Sequence, residues 1–199
     1  MNTAYNHPLT LPTADAIPAG SKPLLEAVLK KFGFVPNIIT ALSTSPSALE
    51  AYLTLADLVS RTSFTPEEQQ AGALIVSQKN GCSYCLAAHG TLGKSTKLDE
   101  ATIVALQTGT DLDNPRLTAL RTLLLSILET KGFPEPAAIE AFKSAGYTDT
   151  QLGEAVLLVS WKTLSNYTNH LYNTPIDAQF AANAAPEACS SEASACTCS

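Results

Sequence analysis

The residues best suited to chemistry lie in one run, Asn80-Gly81-Cys82-Ser83-Tyr84-Cys85-Leu86-Ala87-Ala88-His89. It holds two of the five cysteines and one of the three histidines. If Cys82 opens a helix, Cys85 lies one turn in and His89 one turn further, and residues at i, i+3 and i+4 share a helix face. A thiol reacts as its thiolate, and free cysteine titrates near about 8.5. The unpaired N–H groups of a helix start favour an anion. A neighbouring imidazole takes up the proton or, once charged, stabilises the thiolate. The second thiol is then placed to close a disulfide when the first is oxidised. Two blander readings stand beside this one. The cysteines could be ordinary buried small side chains. They could also be half of a zinc site, with His89 as third ligand and a cysteine near the C-terminus as fourth.

Gln70 to His89, preceded by Phe64-Thr65-Pro66, resembles the core of the alkylhydroperoxidase D (AhpD)-like, peroxidase-related branch of the carboxymuconolactone decarboxylase family. The shared pattern is a helix, then Asn-Gly-Cys-x-x-Cys, then His four residues after the second Cys. Phe32-Gly33-Phe34-Val35-Pro36-Asn37, Pro46 to Leu55, Asn169-His170 and Thr174-Pro175 resemble other parts of those proteins, so the likeness spans about residues 20 to 180. It implies an all-α domain of about eight helices, in a homo-oligomer such as a trimer or hexamer. It further implies a thiol-dependent peroxidase or disulfide oxidoreductase without a bound cofactor or metal. Cys85, activated by His89, would attack a hydroperoxide. Cys82 would resolve the sulfenic acid, and an external dithiol, a lipoyl group or a thioredoxin-like protein, would reduce the disulfide. The resemblance also carries a departure. The family has Glu twelve residues before the first Cys as part of a proton relay, and this chain has Gln70 there. An amide cannot carry a proton away. Glu67, one turn earlier on the same face, is the alternative carrier. Two other function classes remain open at this stage: a decarboxylase or lactone-acting enzyme, against which the cysteine pair argues, and a non-enzymatic redox sensor or metal-binding module.

Composition bounds the rest. The chain has 199 residues with 45% hydrophobic content, enough for a real core. Charged residues make up only 15%, against the usual quarter or so, so part of the surface is expected to be covered by other subunits. The net charge of −6 and the lack of a basic cluster argue against nucleic acid as a partner. No apolar run is long enough to span a membrane. The first twenty residues lack the basic start and apolar core of a signal peptide, so a cytoplasmic location is expected. There a Cys-x-x-Cys pair is redox-active or metal-binding more often than structural.

The elements that must position these residues are helices. Residues 1–20, with Pro8, Pro12 and Pro18, read as an irregular arm, residues 21–180 as the helical domain, and residues 181–199 as a flexible Ala/Ser-rich tail with Cys189, Cys196 and Cys198. Helices are expected over Ser21 to Lys31, Ile38 to Leu42, and Pro46 to Arg61 with Ser45 as cap. Leu49, Tyr52, Leu53, Leu55, Ala56 and Leu58 should form the buried side of the third. Thr65-Pro66-Glu67-Glu68 is a capping box that opens a helix to about Lys79, and Gly81 can take the left-handed turn that ends it. The cysteine helix runs to Gly93 and Lys94, followed by a weaker one over Leu98 to Leu106. Further segments start at Asn114-Pro115 and Pro136. A second capping box at Thr148 to Gln151 opens a long helix with Val156, Leu157, Leu158, Val159, Trp161 and Leu164 on a broad apolar face, central or at a subunit contact. Trp161, Tyr167 and His170 read as core or interface, His7 as part of the arm, and Tyr84 as bordering substrate or facing solvent.

Overall fold

Helix-start signals in the sequence account for most element boundaries. A computed structural model of the protein describes residues 9–185. Among them are nine α-helices, three short 3-10 turns and no strand, which makes the domain all-α. The helices are α1 (Lys22–Phe32), α2 (Asn37–Leu42), α3 (Pro46–Ser60), α4 (Pro66–Lys79), α5 (Ser83–Lys94), α6 (Glu100–Thr108), α7 (Pro115–Glu129), α8 (Pro136–Ser144) and α9 (Asp149–Tyr172). His7, Cys189, Cys196 and Cys198 lie outside the described residues. No described helix is long and apolar enough to cross a membrane.

Both capping boxes form. Thr65 accepts from Glu68 N while Glu68 reaches back to Thr65 N, and Thr148 and Gln151 do the same at α9. Each satisfies two N–H groups that a bare helix start leaves unpaired. Ser45, Asp99 and Asn114 cap α3, α6 and α7 through their side chains. The segment expected to be an irregular arm contains two 3-10 turns, Ala14–Ala16 and Ala19–Ser21, and Leu9 N donates to Leu171 O on α9.

The main core lies between α4, α7 and α9, with Leu74, Leu120, Leu123, Leu124, Phe142 and Leu158 fully buried. A Cβ on Gly72 would stand 2.6 Å from Leu158 Cδ1, so glycine lets α4 pack tightly on α9. A second cluster joins α1, α2 and α3 to the start of α5, where Val28, Ile39 and Leu49 meet Cys82, Tyr84 and Cys85. Two expectations about faces are corrected. Leu58 and Val156 are exposed, while Val59 is buried on α3. Apolar spacing set the phase of both helices to within one residue, and the neighbour each helix meets settled which edge is covered.

Candidate active site

The junction between α4 and α5 is built by backbone. Gly81 has φ +70°, its N–H donates to Gln78 O at 3.0 Å, and Cys82 N donates to Ser77 O at 2.9 Å. This paired closure ends α4 and turns the chain directly into α5. Asn80 Nδ2 donates to Asn166 Oδ1 at 2.9 Å, and Asn166 Nδ2 to Ser77 Oγ at 3.1 Å, tying the junction to α9. Cys82 is the residue before the first helical turn rather than part of it, with extended backbone, and Cys85 sits one turn in. Both cysteines are free thiols and buried.

Three helices converge there. From α9, Lys162 Nζ lies 3.5 Å from Cys85 Sγ and 2.7 Å from His89 Nε2. From α4, Gln70 Oε1 lies 2.9 Å from His89 Nδ1. An ammonium has no lone pair, so Lys162 donates to Nε2, and the imidazole proton must then sit on Nδ1 and donate to Gln70. Burial, reinforced by the charge of Lys162, holds His89 well below its ordinary range, so the ring is neutral. Asn169 Nδ2 reaches both sulfurs, 3.3 Å from Cys85 and 3.6 Å from Cys82, and Ser165 Oγ lies 3.9 Å from Cys85 Sγ.

This environment separates the two thiols. Burial pushes the Cys85 thiol up, but hydrogen bonding from Cys82, the Lys162 charge and the Ser165 hydroxyl outweigh it and leave Cys85 well below the ordinary thiol range. Cys82 is raised, first by its hydrogen bond to Cys85, then by burial and by the Cys85 charge. The opposite directions favour the thiolate at Cys85 and the protonated thiol at Cys82.

Cys82, Cys85, His89 and Gln70 all meet at one place, but the cation between them is Lys162, which the apolar reading of α9 passed over. It is 1% exposed, and its Nζ also lies 4.6 Å from the centre of the Trp161 ring. Among the described residues no carboxylate pairs with it. The sequence does hold a signal for it. Lys162, Ser165, Asn166 and Asn169 recur at i, i+3, i+4 and i+7, a polar stripe at helical spacing, and all four are buried. Lys162 also bears on the zinc reading. An ammonium between Cys85 and His89 occupies the place where a shared metal would sit, and among the described residues no three His, Cys, Asp or Glu side chains are arranged to hold a metal ion. Glu67 does not join the site. It is bonded by its own backbone and by Thr65, its other charged influence is Lys97, and those contacts hold its carboxyl below the ordinary range.

A cavity of about 480 Å³ opens beside Cys85. Phe32, Phe34, Tyr52, Trp161 and Phe180 give it aromatic walls, and Gln70, His89 and Lys162 its polar end. Tyr84 borders this cavity and is 2% exposed, so it does not face solvent. Its hydroxyl donates to Asp177 at 2.5 Å, and Asp177 also accepts from Asn37 N at 3.1 Å. The pair ties the segment after α9 to α2 and to the cysteine helix. Tyr167 and His170 are exposed on α9 and take no part in the site.

No protein-family model matches the chain, and no curated protein does. Solved structures do match. A peroxidase-related protein from Silicibacter sp. TM1040 is 22% identical with TM-score 0.74, covering 90% of this chain and 97% of its own. A peroxidase-related alkylhydroperoxidase AhpD core from Ralstonia eutropha JMP134 is 22% identical with TM-score 0.76, covering 87% and 95%. A cysteine-to-alanine variant of the debrominase Bmp8, in complex with 2,3,4-tribromopyrrole, is 18% identical with TM-score 0.72, covering 90% and 97%. At these identities the likeness is one of fold, and the chain has the fold of the AhpD core.

Proposed function

We propose that the protein is a two-cysteine thiol oxidoreductase that reduces hydroperoxides. One observation carries the reading: a buried lysine ammonium sits 3.5 Å from the sulfur of Cys85, with a second thiol sharing its amide donor. The ammonium favours the thiolate that attack on an O–O bond requires. Cys85 sulfur displaces the alkoxide and becomes a sulfenic acid. Cys82 then condenses with it, releasing water and forming the disulfide. An external dithiol, a lipoyl group or thioredoxin-like protein, returns the pair to the reduced state by exchange. The working form is a homo-oligomer, in which exposed apolar residues of α9 such as Val156 and Leu171 are covered.

The aromatic walls favour a second reading. A thiolate beside an aromatic-walled cavity also suits attack on the halogen of an aromatic ring such as the tribromopyrrole held by the debrominase above: the sulfur–halogen bond forms as the carbon–halogen bond breaks, the ring carbon takes a proton, and Cys82 then gives up its proton and displaces halide to form the disulfide.

Peroxide consumption coupled to candidate dithiol reductants, on wild type and Cys85→Ser, tests the first reading. Turnover that vanishes in Cys85→Ser, with Cys82 found linked to Cys85 by mass mapping after one equivalent of peroxide, is the expected result. Both thiols surviving peroxide intact would remove it. Loss of halide from a bromopyrrole in place of peroxide turnover would favour the second.

A further inference from the structure

On the hydroperoxide reading Lys162 has one anionic neighbour among the described residues, Cys85 as its thiolate, with the sulfur 3.5 Å from Nζ. That pairing lasts only until Cys85 is oxidised. A sulfenic acid carries no charge, so a protonated Lys162 would be left buried without a counter-ion, which a low-dielectric site disfavours. At the same instant the departing alkoxide needs a proton. His89 cannot supply one, because its single N–H is engaged by Gln70 and its Nε2 already accepts from Lys162. Gln70 is an amide, and Glu67 lies outside the site. The ammonium has three N–H groups. One serves His89 and one serves the sulfur, which leaves one for a substrate oxygen.

Building on the hydroperoxide reading, we propose that Lys162 is the catalytic acid of this site: its ammonium gives a proton to the alkoxide that leaves as Cys85 attacks the O–O bond. The balance closes at every step. Thiolate, ammonium and hydroperoxide become sulfenic acid, neutral amine and alcohol. Sulfenic acid and the Cys82 thiol become disulfide and water. A dithiol then delivers two electrons and two protons. One proton goes to Cys82 and one to the Lys162 amine, which restores the thiolate–ammonium pair. The site holds no net charge before or after the first step. Lys162 Nζ also keeps its hydrogen bond to His89 Nε2 in both states, so the ring holds the amine in place while its charge changes.

The test is the dependence of single-turnover Cys85 oxidation on the leaving group. Rates are measured for an alkyl hydroperoxide, whose alkoxide is a poor leaving group, hydrogen peroxide, and a peracid, whose carboxylate leaves without help. Each is divided by the alkylation rate of the same protein to correct for thiolate content. In wild type the three corrected rates should lie close together. In Lys162→Met the alkyl hydroperoxide should slow about a hundredfold or more, the usual worth of general acid help, while the peracid changes little. Equal slowing for all three would overturn the proposal and leave the peroxidase reading standing, since Lys162 would then act on the thiolate alone. A steep leaving-group dependence in wild type itself would overturn it without reference to any variant. A wild type that alkylates readily yet reacts with no peroxide would overturn both the proposal and the reading beneath it.

Discussion

Replacing Lys162 with Met removes the cation of the site at nearly constant volume, and its effect on the thiolate follows from one distance. Unit charges 3.5 Å apart, in the effective dielectric of about 20 that suits such sites, interact by roughly 5 kcal/mol. Some of that returns when the cation is gone. Asn169 Nδ2 and Ser165 Oγ still face the sulfur, and the free N–H groups at the start of α5 still favour an anion. Allowing about 2 kcal/mol for that relaxation leaves about 3 kcal/mol, more than a hundredfold in the acid dissociation constant of the thiol. The pH midpoint of Cys85 alkylation in Lys162→Met should therefore rise by about two units, slowing the reaction at pH 7 by up to that factor, with recovery toward wild-type rates as pH rises. The thiolate's ultraviolet absorbance, followed against pH, reads the same change without a reagent. The fold should persist, because the thiol can hold its proton rather than remain an unpaired buried anion. A thermal melt checks this. A folded Lys162→Met that alkylates at the wild-type rate at pH 7 would refute the assignment of Lys162 as the partner of the thiolate.

Three further outcomes follow from the same geometry. Asn169→Leu removes the one donor shared by both sulfurs; a hydrogen bond to a charged group is worth about 1.5–3 kcal/mol, so the pH midpoint of alkylation should rise by roughly one to two units, and an unchanged midpoint would mean the contact is incidental. Gln70→Glu should not raise peroxide turnover, because Lys162 already carries the proton, and it should move Cys85 alkylation to higher pH, because an added anion disfavours the thiolate; a marked gain in turnover would show that protons pass through residue 70. Cys85 and His89 both hold their protons less tightly folded than unfolded, so their contributions are complete above about pH 8.5 and about pH 6.5 and decline as pH falls below those values; the melting temperature should drop between pH 8 and pH 5, less steeply in Cys85→Ser, and equal slopes in the two proteins would contradict the thiolate assignment.

The parts of the fold that were legible in the sequence are those fixed by local chemistry. The capping boxes at Thr65 and Thr148 place two helix starts on the residue, and Gly81 marks the turn between α4 and α5 because only a residue tolerant of positive φ fits there. The motif also placed Cys82, Cys85 and His89 together, since one helix carries the last two. Lys162 was hidden for a physical reason. It lies 77 residues after Cys85, on a helix whose most visible pattern is apolar, and its polar stripe with Ser165, Asn166 and Asn169 would equally suit a face turned to solvent. Only the packing of α9 against α3, α4 and α5 decides that. The expectation that His89 activates Cys85 now has a second candidate beside it, since Lys162 lies between the two. His89 faces Lys162 through Nε2, and the ammonium in turn faces the Cys85 sulfur.

Gln70 and Lys162 make sense as a pair. On the proposed mechanism the buried site holds one thiolate, and an isolated charge there is costly, so it requires one cation. Lys162 supplies it, and with a neutral imidazole and a neutral amide the site sums to zero. A carboxylate at position 70 would break that balance. It would accept the same Nδ1–H, but a second negative charge would then demand a second positive one. The nearest group able to provide it is His89, whose Nε2 is already turned to the ammonium. A cationic ring could no longer accept from Lys162, and two positive groups 2.7 Å apart would repel. The outcome would be either a protonated Cys85 or a lysine that gives its proton to the ring, and both weaken the nucleophile. An amide avoids this. Its Oε1 fixes the Nδ1–H tautomer, which keeps the Nε2 lone pair free for Lys162, and it adds no charge. On the proposed thiolate mechanism, a position that looks like a broken proton relay when read beside the cysteines alone would serve, once Lys162 is placed, as the neutral support of a lysine-paired thiolate.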